Sequence, residues 1–171
     1  MAGLRSSAGV AGLPDFYVCE NGRHTLWDYK STTPFKVQRW LEGDRFDWSY
    51  QINHYRVELE ERGYAVDEMK IQTFIKGYTP RMHRSLAKYL EAAGYDPTDA
   101  GPVLVVDHIP DAVIKEYFTR KRGELMAALS GQGWSEPCTD HERWGGRKCK
   151  GYCSVAEFCP FSKPVETEAA E

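Results

Sequence analysis

Residues 15–30 read DFYVCENGRHTLWDYK, two runs of aromatic and β-branched residues on either side of Asn21-Gly22. Asn-Gly between such runs is the strongest short-range signal of a β-hairpin with a two-residue turn. Counting back from that turn places Asp15 directly opposite Asp28. The sequence therefore predicts a hairpin whose far end brings two carboxylates together.

The carboxylate pair needs a chemical reason, because like charges in opposed cross-strand positions destabilise a sheet. A hard divalent cation such as Mg²⁺ or Mn²⁺, which takes oxygen ligands, would remove the repulsion. Lys30 lies two residues after Asp28, so strand alternation places it on the same face. An ammonium beside such a cation can hold an attacking water and a phosphate oxygen, as phosphodiester cleavage requires. The alternative is a solvated strand, and a one-residue slip in register would separate Asp15 from Asp28.

Beyond the hairpin, strand-like and helix-like segments follow one another. The predicted segments are an irregular stretch at 31–46, a helix capped by Asp44 or Asp47 and ended by Gly63, a strand at 69–75, a helix from Arg81 to Ala93, a buried strand at 103–106 and an amphipathic helix at 111–129. This order predicts an α/β fold, a mixed β-sheet flanked by helices.

The domain organisation predicted from composition has three parts. Residues 1–133 form the main domain, 134–162 a cysteine-rich segment, and 163–171 an acidic tail with too few apolar residues to fold. No apolar run reaches the ~20 residues of a membrane span, and the first residues lack the apolar stretch of a signal peptide. A cytoplasmic protein without a membrane partner is therefore expected.

Charge is unevenly distributed, although the formal net charge is only −3. Acidic residues are concentrated in 42–68, whereas basic residues cluster within 76–88, 115–122 and 143–150. A local basic track can bind phosphates even on an acidic molecule. The alternative for each cluster is a solvated helix face.

On the helix predicted to end at Gly63, Gln51 and Tyr55 are four residues apart and share one face. Periodicity alone favours Tyr55 as part of the core and Gln51 as a surface residue.

Taken together, three short motifs resemble a known family. They are GLPD at 12–15, LWDYKST at 26–32 and QINHY at 51–55. Their order and spacing resemble the RecB-like and CRISPR-associated exonuclease-like branch of the PD-(D/E)xK nucleases. That branch carries G-x-x-D, an apolar strand ending in D/E-x-K-T, and Q-x-x-x-Y on the next helix. The resemblance implies a restriction-endonuclease-like core with a C-terminal cysteine cluster.

The resemblance also assigns roles to individual residues. Asp15, Asp28 and the backbone carbonyl of Tyr29 would bind Mg²⁺ or Mn²⁺, Lys30 would position the attacking water, and Gln51 and Tyr55 would orient the lysine or contact DNA. Family members usually have a helix before the first acidic motif, often with a His or Glu that completes the metal site. The segment before Asp15 holds no such residue.

Four cysteines near the C-terminus form a second candidate site. Cys138, Cys149, Cys153 and Cys159 lie close in sequence, and Pro160 follows the last. In a cytosolic protein such a set indicates a metal rather than disulfides. The spacing differs from the paired C-x-x-C of zinc ribbons, which favours a 4Fe–4S cluster over Zn²⁺. The family resemblance leaves Cys19 as an alternative ligand.

Three functions are consistent with these features. The first is a Mg²⁺- or Mn²⁺-dependent DNA nuclease, an exonuclease in preference to an endonuclease, acting in recombination, repair or phage- or CRISPR-type DNA processing. The second is a weak or inactive DNA-binding or recruitment subunit with the same fold. The third is an iron–sulfur redox or sensor protein. Expected partners are DNA and a helicase or a recombination or CRISPR protein.

Overall fold

The computed structural model describes residues 4–5, 9, 11–133 and 136–162 of the chain. The chain divides into two compact units, Met1–Thr119 and Arg120–Glu171. That division falls inside the last helix, whereas the domain boundary at residue 133 remains a prediction from composition. The acidic tail predicted at 163–171 lies outside the described residues.

The chain has an α/β architecture. The strands are β1 (Leu4–Arg5), β2 (Ala11–Gly12), β3 (Phe16–Glu20), β4 (Arg23–Thr32), β5 (Glu68–Ile75) and β6 (Val103–Val105). The helices are α1 (Pro34–Leu41), α2 (Phe46–Glu60), α3 (Arg84–Ala92) and α4 (Asp111–Leu129). Within the described residues, no helix has both the length and the apolar composition to cross a membrane.

The main sheet is mixed and has four strands in the order β3-β4-β5-β6. The outer pairs, β3 with β4 and β5 with β6, are antiparallel, whereas β4 and β5 are parallel. A parallel pair needs a crossover connection, and the segment carrying α1 and α2 supplies it. The predicted mixed sheet flanked by helices is confirmed.

The hairpin has the register that the Asn-Gly turn predicts. Glu20 pairs with Arg23, and the ladder continues to Phe16 opposite Trp27. Asn21 and Gly22 have φ values of 52° and 76°. Positive φ at both central residues is what a type I′ turn requires.

The core lies against one face of the sheet. Apolar side chains of that face share a single hydrophobic cluster with α1, α2 and α3; Leu26, Ile71, Val37, Ile52 and Leu90 are all fully buried. Strand alternation sends their neighbours to the opposite face, where Tyr29 and Phe74 are 47% and 54% exposed. The buried face is therefore the one on which polar side chains can be held in a protected environment.

Several element predictions were wrong in detail. The segment at 31–46 is not irregular, because Thr33 caps α1 and its hydroxyl accepts from the Lys36 amide. Pro34 in the first turn of α1 is a further start signal, since its ring already has helical φ. Helix α2 has Arg45 at its N-cap with no side-chain cap, because the Asp44 carboxylate instead binds Arg39 at 2.5 Å.

The remaining helix and strand predictions differ less from the structure. Helix α3 begins at Arg84 rather than Arg81. Strand β6 is an edge strand, so Leu104 is buried but Val105 is 53% exposed. Helix α4 has the predicted bounds, yet Ile114 is its only fully buried residue among those described.

Candidate active site and cysteine segment

Strand β4 positions the first two candidate residues. Asp28 and Lys30 alternate with exposed Tyr29, so both point toward the helices. Asp28 is 4% exposed, and its Oδ2 lies 2.6 Å from Lys30 Nζ. A buried carboxylate thus has an ammonium as its direct partner.

Helix α2 supplies the next two residues. Lys30 Nζ donates to Gln51 Oε1 at 2.8 Å, and Gln51 Nε2 donates to the Tyr55 hydroxyl at 2.7 Å. Gln51 and Tyr55 are one helical turn apart, as predicted. Asp28, Lys30, Gln51 and Tyr55 therefore form one continuous hydrogen-bonded series, called the polar chain below.

Asp15 reaches the same region from the segment before β3. The β3–β4 ladder ends at Phe16 and Trp27, one pair short of the predicted Asp15–Asp28 pairing. Asp15 Oδ2 instead accepts a hydrogen bond from the Tyr29 amide at 2.7 Å. Asp15 is exposed, whereas Asp28 is buried, so the two carboxylates lie in different environments.

The protonation of Asp28 reflects that environment. Burial raises the pKa of Asp28 above its ordinary value, the hydrogen bond and charge of Lys30 lower it, and the Asp15 carboxylate raises it again, with a net increase. A repulsive contribution from Asp15 means that the two carboxylates interact electrostatically. The ionised form of Asp28 is therefore disfavoured unless a further positive charge lies close to it.

Gly12 lies against the other end of the polar chain. A Cβ added to Gly12 would lie 2.8 Å from Tyr55 Cδ1 and still closer to the neighbouring ring carbon. Only glycine permits this approach of backbone to ring. The glycine of the GLPD motif is thus explained by packing on Tyr55 of the QINHY motif.

A further acidic group lies at the other end of α2, and sequence reasoning missed it. Glu60, His108 and Asp111 have possible metal-ligand atoms within 4.8 Å of one another. However, the Arg56 guanidinium, 1% exposed, binds Glu60 at 2.5 Å and Asp111 at 2.8 Å. Since a buried guanidinium already neutralises both carboxylates, this group is an ion-pair network that ties α2 to α4.

Many of the basic residues predicted to form a DNA-binding track are paired with acids of the chain. Examples are Lys115 with Glu61, Arg120 with Glu124, Lys121 with Glu142 and Arg143 with Asp140. The exposed bases of the first cluster are Lys76, Arg81, Arg84 and Lys88. The Lys76 amide donates to the Thr32 carbonyl, so Lys76 lies at the carboxyl ends of β4 and β5. Lys30 lies near the same end of β4.

The second unit contains the four C-terminal cysteines. Residues 138–162 are built from turns joined by short irregular stretches, and Trp144, Gly145 and Gly146 have consecutive positive φ values of 54°, 62° and 86°. All four cysteines are free, and only Cys138 is exposed. The segment carries its thiols without the support of a helix or strand of its own.

Electrostatic interactions link Cys138 to Cys159 and to charged residues of the second unit. Cys138 is exposed as a whole residue, but partial burial raises the pKa of its thiol; Glu142 and Cys159 raise it further, and Lys121 and Lys148 oppose them. Arg143, which Asp140 binds, has a raised pKa to which Cys149 and Cys138 also contribute. Within the described residues, no three of these sulfurs lie within 4.8 Å of one another.

Cys19, the alternative thiolate ligand, has a contact of its own on the hairpin. Its sulfur lies 3.6 Å from His24 Nε2, and His24 Nδ1 lies 2.6 Å from the Tyr17 hydroxyl. Cys19 is thus part of a local hydrogen-bonding group in the first unit.

No protein-family model matches the chain, and searches of curated proteins and of solved structures find no match.

Proposed function

We propose that this protein is a Mg²⁺- or Mn²⁺-dependent nuclease that hydrolyses phosphodiester bonds in DNA. The observation that carries the proposal is the polar chain, because it joins a buried acid, a lysine and a Gln-Tyr pair at hydrogen-bond distances of 2.6, 2.8 and 2.7 Å. Asp15 lies beside this chain at the Tyr29 amide. The resemblance to the PD-(D/E)xK family assigns these same residues to catalysis.

The donor set fits a hard divalent cation. Asp28 and Asp15 offer carboxylate oxygens and Tyr29 a carbonyl oxygen, which are the ligands that Mg²⁺ prefers. The raised pKa of Asp28 reflects burial and the neighbouring Asp15 charge, and a cation would relieve both effects. When bound, the metal would supply positive charge that stabilises the developing negative charge on the phosphate.

The other candidate residues act by positioning the attacking water and the DNA rather than by binding the metal. Gln51 accepts from Lys30 and holds the ammonium at a fixed place, where its remaining N–H can bond the attacking water or a phosphate oxygen. Tyr55 fixes Gln51 in turn. Lys76, Arg81, Arg84 and Lys88 are exposed and could contact the DNA backbone, with no preference for sequence.

The proposal is tested by incubating the purified full chain with end-labelled single- and double-stranded DNA. Cleavage is expected with Mg²⁺ or Mn²⁺ and not with EDTA. Lys30→Ala should lower the rate by a factor on the order of 10²–10⁴. Lys70→Ala is the matched control, since Lys70 is also on the sheet but binds Glu68. Equal rates for both variants and wild type would refute the proposal.

For the cysteine segment we propose a 4Fe–4S cluster bound by Cys138, Cys149, Cys153 and Cys159, with Zn²⁺ as the alternative. A single Zn²⁺ at 2.3 Å from each sulfur brings tetrahedral ligands to about 3.8 Å from one another. An iron–sulfur cluster binds each thiolate through a different iron and accepts wider spacing, which agrees with the finding that no three described sulfurs lie within 4.8 Å of one another. Arg143 and Lys148 would offset the negative charge of such a centre. Protein purified without oxygen should be brown and lose its colour in air, whereas a zinc protein would be colourless.

A catalytically weak DNA-binding subunit is the second candidate, and one observation favours it. Within the described residues, neither Asp15 nor Asp28 belongs to a group of three ligand side chains whose ligand atoms lie within 4.8 Å of one another. Two carboxylates leave most of the coordination sphere to water and substrate. This function predicts DNA binding without cleavage in Mg²⁺ or Mn²⁺. Association with a helicase or a recombination or CRISPR protein remains a prediction for either function.

A further inference from the structure

An aromatic cavity adjoins the polar chain on α2. Its volume is about 310 Å³. The lining includes two residues of the polar chain and a set of aromatic rings from α2 and α4; these six are Gln51, Tyr55, Phe46, Tyr50, Tyr117 and Phe118. A ligand in this cavity would therefore contact the candidate catalytic residues.

The rings form a fixed wall. Phe46 and Tyr50 are stacked with centroids 4.1 Å apart. Tyr117 meets both of them edge-on, at 5.4 Å and 4.9 Å. All three are partly exposed. Mutual packing holds the rings in place, so a planar ligand can stack on them with little loss of side-chain freedom.

We propose that this cavity binds an unpaired nucleobase of single-stranded DNA, beside the bond that the polar chain cleaves; the inference rests on the nuclease function proposed above. Every nucleobase has a π face, so a wall of rings binds bases with little regard to sequence. The volume lies at the lower end of the range for small-molecule sites, which suits one base and its sugar but not a base pair.

The polar lining argues for a base over an aliphatic side chain of another protein. Asp47, Gln51 and His54 line the same cavity as the rings. His54 is held in place by Glu58, with His54 Nε2 3.0 Å from Glu58 Oε1, and its ring stacks on Phe118 at 4.1 Å. Asp47 already binds Lys36 and Gln51 already accepts from Lys30, but a carboxylate or amide oxygen can accept more than one hydrogen bond. A base edge can therefore add a bond to either residue, whereas an aliphatic chain would remove water from them and offer none in return.

The test measures binding separately from cleavage. The full chain is titrated in EDTA with fluorescently labelled oligothymidylate, and Kd is taken from anisotropy. Tyr50→Ala should weaken binding about 5- to 150-fold, the effect of losing one stacked base. Tyr50→Phe keeps the ring and should stay within about twofold of wild type.

A second comparison uses only wild-type protein and so does not depend on a variant that folds. A strand in which every base is replaced by an abasic site keeps its phosphates and should bind more weakly by a similar factor. A blunt duplex of the same length should also bind more weakly than the single strand. Equal Kd for the abasic strand would overturn the proposal and leave an apolar protein side chain as the occupant.

The two proposals fail in distinguishable ways. If wild type cleaves DNA with Mn²⁺ but Tyr50→Ala leaves Kd and KM unchanged, the cavity does not bind bases and the nuclease proposal stands. If binding depends on Tyr50 and on bases but no DNA is cleaved in Mg²⁺ or Mn²⁺, base binding stands and the nuclease proposal fails.

Discussion

The two candidate metal sites are built in opposite ways. In the first unit, the polar chain lies on regular elements, one strand and one helix, and Asp28 at its start is buried. In the second unit, the cysteines lie in a segment of turns and irregular stretches, and nearby Tyr152 and Phe158 are 75% and 81% exposed. Packing therefore fixes the geometry of the first site. The second site has too few packed side chains to fix its geometry without a bound metal.

This difference predicts different responses to loss of metal. A site on a packed sheet and helix is preorganised, so its metal adds chemistry more than structure. Where thiolates on turns supply the ligands, binding free energy is folding free energy. Removing metal should leave the first unit folded and should loosen the segment at 138–162.

The largest effect is expected in the cysteine segment. Replacing Cys138, Cys149, Cys153 or Cys159 by Ser should remove the cofactor colour and make 138–162 sensitive to limited proteolysis, because metal binding and local folding are coupled. Cys19→Ser is the matched control and should keep both colour and protection, since Cys19 contacts His24 on the hairpin. Loss of colour in Cys19→Ser together with retention in Cys138→Ser would reverse the ligand assignment.

The next largest effect is expected when the contact between Gly12 and Tyr55 is disrupted. Gly12→Ala should destabilise the protein by about 1–3 kcal/mol through overpacking and should reduce cleavage, because the displaced ring breaks the Gln51 hydrogen bond. Urea denaturation and a cleavage assay measure the two effects.

The controls for Gly12→Ala use a second glycine and a double variant. Gly123→Ala, in the interior of α4 with open space around it, should stabilise by about 0.5–1 kcal/mol through helix propensity. In the Tyr55→Ala background, Gly12→Ala should cost little further stability. A full cost in that background would show that the ring is not the cause.

A smaller effect concerns Glu142, which anchors the start of the cysteine segment. Burial acts to raise the pKa of Glu142, but hydrogen bonds from Lys121 and Thr139 outweigh it and hold that pKa at about 2, against an ordinary 4.5. A lowered pKa contributes stability above pH 4.5 that is lost as pH falls toward 2. Glu142→Gln should cost about 1–2 kcal/mol at pH 7.

Two measurements check the role of Glu142. Hydrogen exchange of the Thr139 amide should quicken in Glu142→Gln, because Glu142 accepts from that amide at 2.8 Å. A carbon-13 titration of the wild-type carboxyl should give a midpoint near 2. Asp140→Asn is the control, since Asp140 is 87% exposed, and it should change exchange little. A midpoint at the ordinary value would contradict the account.

The smallest effect is a gain in stability at Asp28. Its pKa is raised by burial, so the charged form costs the folded state stability that is regained as pH falls through the raised pKa. Asp28→Asn should therefore stabilise metal-free protein at pH 7 by up to about 1 kcal/mol, and the gain should vanish on acidification. Urea denaturation in EDTA measures this; in excess Mg²⁺ the wild type should recover the difference. A destabilised Asp28→Asn protein in EDTA would contradict the account.

How far the sequence predicts the structure depends on whether the signal is local. The hairpin register follows from Asn21-Gly22, because positive φ at both positions is a property of the turn itself. Helix α1 was missed although Thr33 and Pro34 carry a local start signal. Val37 and Trp40, buried and three residues apart on one helix face, add a periodic signal, so this helix could have been predicted.

Non-local groups were beyond sequence reasoning. The aromatic cavity needs Tyr117 of α4 to meet Phe46 and Tyr50 of α2, and the Arg56 network needs Asp111 to meet Glu60. Neither pairing can be predicted from the hydrophobic periodicity of the sequence. Gln51 and Tyr55 were proposed from family resemblance, whereas periodicity alone favoured a surface glutamine.

The most direct test of the central claim is the single-turnover rate at which the full chain cleaves end-labelled single-stranded DNA in Mn²⁺, for wild type and for Asp28→Asn. The asparagine keeps the shape of the side chain but removes the charge that a cation requires. We expect rapid wild-type cleavage, inhibited by EDTA, and a rate lower by a factor on the order of 10³ or more in the folded variant. Equal rates in the two proteins would contradict this expectation.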